Sequence, residues 1–175
     1  MCSSDLTADL NNAVASFSGV VPGDTVNFVA GTSADFDNAN VGTGKLVTTS
    51  GYAIGAGGDG ANYSLPNQPT TTADITRRAL SITANDSSKT YGSSKTFSGS
   101  EFISSGLQNS ETIGSVTLSA SCASASEHRG SGSCSIVPSA ATGGSFNSSN
   151  YTISYINGTL TVNKANLSVT ANDAS

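Results

Sequence analysis

The sequence predicts a mainly β chain built from tandem small antiparallel domains, each a sandwich or a β-grasp-like sheet, with very little helix. Three observations carry that expectation. Apolar and polar residues alternate with period two along "DTVNFVAG", "ALSITAND", "TISYINGTLTVN" and "NLSVTAND". Clusters of Gly, Ser, Asn and Pro interrupt the alternation at short intervals. The phrase "LSITANDSS" at Leu80 to Ser88 returns at Leu167 to Ser175 as "LSVTANDAS", with seven identities in nine positions.

The strands follow in order. Val26 and Phe28 share one face of the first stretch, and Leu80, Ile82 and Ala84 face inward in the next. "TISYINGTLTVN" reads as a hairpin: Asn157-Gly158 supplies a two-residue type I′ turn. That turn sets Tyr155 opposite Leu160 and Ile153 opposite Val162 on one buried face. Leu167, Val169 and Ala171 repeat the inward set of Leu80, Ile82 and Ala84. Helix is confined to one or two turns through Leu10, Val14 and Phe17, a stretch that reads equally as the remnant of a strand, and a single turn around Phe102 and Ile103.

Composition fits such strands. The 175 residues carry 7 Lys+Arg, 12 Asp+Glu and one His, for a net charge of −5. Charged residues make up 11% of the chain, against roughly 25% in an average domain. The outer faces are therefore polar but uncharged. Nucleic acid is excluded as a partner, since phosphate binding needs clustered Lys and Arg. The pair Arg77-Arg78 reads as a solvated joint between domains. No run of 18 apolar residues exists to span a membrane.

Repetition also sets the expected boundaries. Asn62-Tyr63 and Asn150-Tyr151 are landmarks that precede the closing strands of two successive units. Residues 1–6, "MCSSDL", read as a sequencing or cloning scar, with a lipid-anchored Cys2 as the rival reading. Residues 7–76 form a first, N-terminally truncated unit and 77–163 a second. Residues 164–175 begin a third that is cut short.

Setting Cys2 aside leaves Cys122 and Cys134 as an even pair. Two strand-like arms flank the polar loop Ala123 to Ser133 between them, a natural disulfide site. Closing about a dozen residues stabilises by roughly 3 kcal/mol and implies an oxidising compartment. A zinc site lacks ligands, because His128 alone accompanies the thiols.

Other chemical motifs dissolve on inspection. "GAGGDG", Gly55 to Gly60, matches a dinucleotide-binding pattern, but Pro66 and Pro69 stand where the helix would have to run. "GGDGANYSL" approaches the calcium nonapeptide with Asn62 in place of the essential Asp and no stacked copy. Asp35, Asp37, Asp59 and Asp86 are turn-forming acids whose only sequence-level chemistry is weak Ca²⁺ binding between units. His128 has no nucleophile elbow to serve, and paired carboxylates lack a Trp-lined sugar platform. The expectation is no enzyme, no cofactor, no metal site and no catalytic residue.

Two stretches resemble known families. Phe17 to Thr76, with "VGTGK", "GANY" and "TADI", resembles the YDG-type repeat, although it has no Tyr-Asp-Gly triplet. From Leu80 onward, Lys89-Thr90-Tyr91-Gly92, Gly106-Leu107 and Asn157 to Val162 are similar to the MBG-type repeat. The resemblance implies the shaft of a large secreted or surface-displayed bacterial adhesin of the filamentous-haemagglutinin kind. Neighbouring repeats of the same chain are the implied partners. A module that binds a glycan or a host or biofilm surface is one alternative, and an accessory β domain of an extracellular enzyme is another.

Overall fold

The computed structural model describes Ala8, residues 16–126 and residues 132–172. The chain divides into two compact units, Met1–Arg77 and Arg78–Ser175. Among the described residues regular structure is strand, apart from two short 3-10 turns. The helical turn expected at Leu10 and Val14 lies outside the described residues, as does His128.

The described strands of unit one are all antiparallel. β2 (Ser33–Phe36), β3 (Gly42–Ser50) and β5 (Thr70–Ile75) form one sheet in that order. β1 (Val26–Val29) and β4 (Ala53–Gly58) form a second, two-stranded ladder. Its small core is Ala34, Val47 and Ile75. Thr49 is also buried, and its hydroxyl donates to the Pro69 carbonyl at 2.6 Å, so no polar group is stranded there. Phe28 stacks edge-on with Phe17 at 5.3 Å and tilts onto Tyr52 at 5.6 Å.

Unit two is a sandwich of two mixed sheets. β11 (Tyr151–Ile156), β6 (Arg78–Ala84) and β8 (Phe102–Ser105) make one. β7 (Ser87–Thr90), β12 (Gly158–Asn163), β10 (Ser133–Gly144) and β9 (Ile113–Ala120) make the other. Each core cluster draws on both sheets, so their inner faces meet. Ala84 packs with Ile136, Leu160, Val162 and Cys122, while Leu80, Ile82 and Tyr151 pack with Val116. The inward set Leu80, Ile82 and Ala84 is at most 3% exposed. These apolar faces give the unit its stability.

Three expectations need correction. Asn157-Gly158 is not a hairpin turn. A type I′ turn needs positive φ at both central residues, and neither Asn157 nor Gly158 has it. The chain stays extended and passes from one sheet to the other, so β11 and β12 never pair with each other. Ile153 and Leu160 accordingly lie in different core clusters, and Tyr155 is 38% exposed. The segment around Phe102 and Ile103 is strand β8, held antiparallel against β6, because tertiary pairing outweighs a weak local helical pattern. Leu167 and Val169, expected inward on a strand, are each 91% exposed with no strand around them. Among the described residues that copy has no neighbour equivalent to β8 or β11 to cover its apolar side.

Candidate functional site

The most specific construction in the molecule is a parallel strand zipper in unit two. β6 and β7 are one nearly continuous segment, and so are β11 and β12. Both segments change sheet at the same level. β11 runs parallel to β6 from Tyr151 beside Arg78 to Ile156 beside Thr83. β12 runs parallel to β7 from Leu160 beside Ser87 to Asn163 beside Thr90. The sequence offset is 73 residues on both sides of the crossing, so the register survives it.

The crossing itself is built from the sequence motifs. Asp86 accepts a hydrogen bond from the Thr159 amide at 2.7 Å, joining the "TAND" phrase to the "NGT" phrase. Gly158 is buried, and a Cβ there would sit 2.5 Å from the Ala84 carbonyl oxygen. Glycine is needed because two backbones touch, not because a turn is needed. Lys89, in the "KTYG" motif, is 6% exposed, and its ammonium donates to the Ser93 carbonyl at 3.2 Å and to the Ser124 carbonyl. Those carbonyls supply the partners that a buried cation requires.

Cys122 and Cys134 form a disulfide with Cα atoms 6.0 Å apart. They stand where the β9–β10 ladder, whose last pair is Ala120 with Ile136, would continue. Cys134 is also opposite Leu160 of β12, so the bridge abuts the zipper from the side.

Both units share a tyrosine clasp. In each, a short 3-10 turn, Gly60–Asn62 or Ser148–Asn150, leads directly into the Asn-Tyr landmark. Tyr63 accepts from the Val21 amide at 2.9 Å and donates to Asp24 at 2.7 Å. Tyr151 accepts from the Gln108 amide at 3.1 Å and donates to Glu111. In both cases the amide and the carboxylate are three residues apart on a loop about forty residues upstream. The Val21 amide bond lowers the Tyr63 pKa, but the hydrogen bond to Asp24, desolvation and the Asp24 and Asp59 charges outweigh it. The phenol is held above its ordinary value of 10.0.

A second correspondence lies just before each clasp. Asp59 accepts from the Thr25 amide through its side chain at 2.9 Å and donates its own amide to the Thr25 carbonyl at 2.7 Å. Ser145 does the same with Thr112, at 2.9 and 3.0 Å. Gly58 and Gly144, each at positive φ, let the chains approach closely. A Cβ there would lie 2.3 Å from the Thr25 carbonyl oxygen in one case and 2.0 Å from that of Thr112 in the other. "GAGGDG" is therefore the close of a β ladder.

The acidic residues singled out from sequence are each engaged separately. Asp35 accepts from Ser33, and Asp37 pairs with Lys45 at 3.2 Å. Asp59 and Asp86 bond backbone amides, as above. Among the described residues no three His, Cys, Asp or Glu side chains are grouped to hold a metal ion. Sequence reasoning missed the roles of Asp86, Glu111 and Lys89. The repeated Asn-Tyr pair was the available signal for the clasp. Nothing local announces Asp86, whose partner is 73 residues away. In unit one the "VGTGK" and "TADI" motifs likewise meet, as the Gly44 amide donates to Asp74 at 2.7 Å beside the bulge in β3.

Comparison with known families agrees unit by unit. Residues 4–73 match the YDG domain and residues 80–161 the MBG domain of the YGX type. No curated protein and no solved structure matches the chain. YDG and MBG domains are not known as enzymatic domains, and the pair is consistent with a repeat-type segment of a surface protein. The chain therefore carries a YDG domain followed by an MBG domain of the YGX type.

Proposed function

We propose that the chain is a structural stalk segment of a secreted or surface-displayed bacterial adhesin-like protein, giving reach and mechanical integrity, with neighbouring repeats as its partners. The zipper of unit two carries this reading. The chain comes into the unit at Arg78, beside Tyr151, and leaves at Asn163, beside Thr90. Thirteen residues of nearly continuous strand separate those levels, a span of roughly 40 Å at full extension. Traction between the two ends slides β6–β7 along β11–β12. Every ladder bond is then strained together, whereas peeling would break them one at a time. A surface stalk is loaded in this direction.

Two further features support the reading. The disulfide suits an oxidising compartment. The sparse charge of the chain, 11% of its residues, limits repulsion between successive domains.

Single-molecule force spectroscopy on the whole chain tests the proposal. Handles at the two termini load the zipper in shear, and handles at residues 90 and 163 peel it open from one end. Unit two should resist several-fold more force in the first geometry than in the second. Equal forces in the two geometries would remove the mechanical basis of the stalk.

A further inference from the structure

The four-stranded sheet of unit two has one face in the core and one in solvent. Val116, Leu118, Ile136, Leu160 and Val162 pack inward, so the residues between them point outward. Along β10 these are Ser135, Val137 and Ser139, and along β9 they are Thr117 and Ser119, all exposed. Strand pairing sets Ser119 beside Val137, Thr117 beside Ser139, and Ser135 beside Thr159 of β12. The array runs on to Thr161 of β12, which stands beside Ser88 of β7. Neighbouring outward side chains are therefore about 5 Å apart across the strands and about 7 Å apart along them.

Two observations separate this grid from an ordinary solvated face. Exposed surfaces usually carry Lys and Glu, yet no outward position of these four strands is charged. Lys89 points inward, and Asp86, at the rim, is engaged by the Thr159 amide. Among the described residues, moreover, the hydroxyls of the grid make no hydrogen bond to another protein group. Each is left with a donor and an acceptor turned outward.

The chemistry of the grid narrows its partner. Nucleic acid requires clustered cations, and a membrane surface requires a cationic or strongly apolar face. A protein partner requires aromatic or Arg anchors, and none stands at an outward position here. Sheet twist bends the face away from the plane of a crystal lattice. An uncharged, flexible polymer with its own hydroxyl donors and acceptors fits all of these conditions. We propose that this outer face binds a neutral polysaccharide. Sugar hydroxyls exchange hydrogen bonds with Thr117, Ser119, Ser135 and Ser139, and the C–H side of a ring rests on Val137, which is 43% exposed. Such bonds replace bonds to water and each contributes little, so a single unit binds with a Kd on the order of millimolar. Contacts of this strength add up when several units meet one long polymer. The assignment is independent of the stalk reading, which requires no ligand.

The test is native affinity electrophoresis of the whole chain in gels containing dextran, a soluble mixed-linkage β-glucan or a galactomannan, with polygalacturonate as the acidic comparison. At least one neutral polymer should retard the parent, and polygalacturonate should not. Ser119→Ala with Ser135→Ala should weaken the retardation by about tenfold. Val137→Glu should abolish it by placing a charge within the grid. Ser81→Ala with Ser154→Ala, a cross-strand pair on the outer face of the other sheet, should leave it unchanged. A second arm needs no variant: titrating oligosaccharides of the retarding polymer into the parent should shift amide NMR signals of β9, β10 and β12 alone. The proposal is overturned if none of the three neutral polymers retards the parent, or if Val137→Glu is retarded as strongly as the parent. Stronger retardation by polygalacturonate, or amide shifts centred outside those three strands, would overturn it equally.

Discussion

Tyr151 is 5% exposed, and its hydroxyl serves two partners on a loop that contains Asn109 and Ser110 at positive φ. Positive φ is costly for residues with a Cβ, so that loop needs an external anchor, and the phenol provides it. Tyr151→Phe keeps the ring packed against Phe146 but strands the Gln108 amide and the Glu111 carboxylate. It should destabilise unit two by about 1–3 kcal/mol, read from chemical denaturation. A Tyr63→Phe change in unit one, where the partners are more exposed, should cost less.

Glu101 offers a pH test on the same scale. Amides of Ser98 and Gly99 donate to its carboxylate at 3.0 to 3.1 Å. The Ser98 amide is the largest cause of a pKa lowered from 4.5 to about 2, against a smaller opposing desolvation. A carboxylate whose folded pKa is depressed adds stability at pH above its unfolded value, and that stability fades as pH falls through the folded value. The contribution should therefore be whole above pH 4.5 and gone near pH 2. Solvent screening at this partly exposed position limits it to about 1 kcal/mol or less. Glu101→Gln should be slightly less stable than the parent at neutral pH and indistinguishable from it near pH 2, by thermal melts across that range.

At the scale of elements, the inward faces were legible in the sequence and their partners were not. Alternation alone places Leu80, Ile82, Ala84, Leu160 and Val162 in the interior, because a half-buried strand has to expose every second residue. Asn157-Gly158 misleads because the same dipeptide serves two physical needs. It relieves φ strain in a turn, and its missing Cβ also admits a neighbouring backbone. Only the position of β6, 73 residues earlier, decides between them. The zipper was illegible for the same reason: parallel pairing leaves no short-range turn signal. Gly158→Ala tests the second role. Gly158 is not at positive φ, so alanine brings no φ strain there, but its Cβ would press on the Ala84 carbonyl oxygen at 2.5 Å and the Asn85 carbonyl oxygen at 3.0 Å. The change should cost about 1–3 kcal/mol, with exchange protection lost first at Ala84 to Asp86 and Thr159.

For the whole molecule, the disulfide and the zipper divide the mechanical work in a way that can be measured. Neither cysteine belongs to the sheared segments Arg78 to Thr90 and Tyr151 to Asn163, so reduction should leave the peak force of unit two little changed. It should alter how far the chain extends afterwards. While oxidised, the loop between Cys122 and Cys134 is bypassed across a 6.0 Å Cα separation. Reduced, the 12 peptide units between them extend by roughly 3.6 Å each. The step in contour length should therefore grow by about 37 Å on adding a reductant. A peak force that falls by half on reduction would locate the resistance in the β9–β10 ladder beside the bridge rather than in the parallel strands. An unchanged step length would mean that the two thiols are not joined in the folded protein.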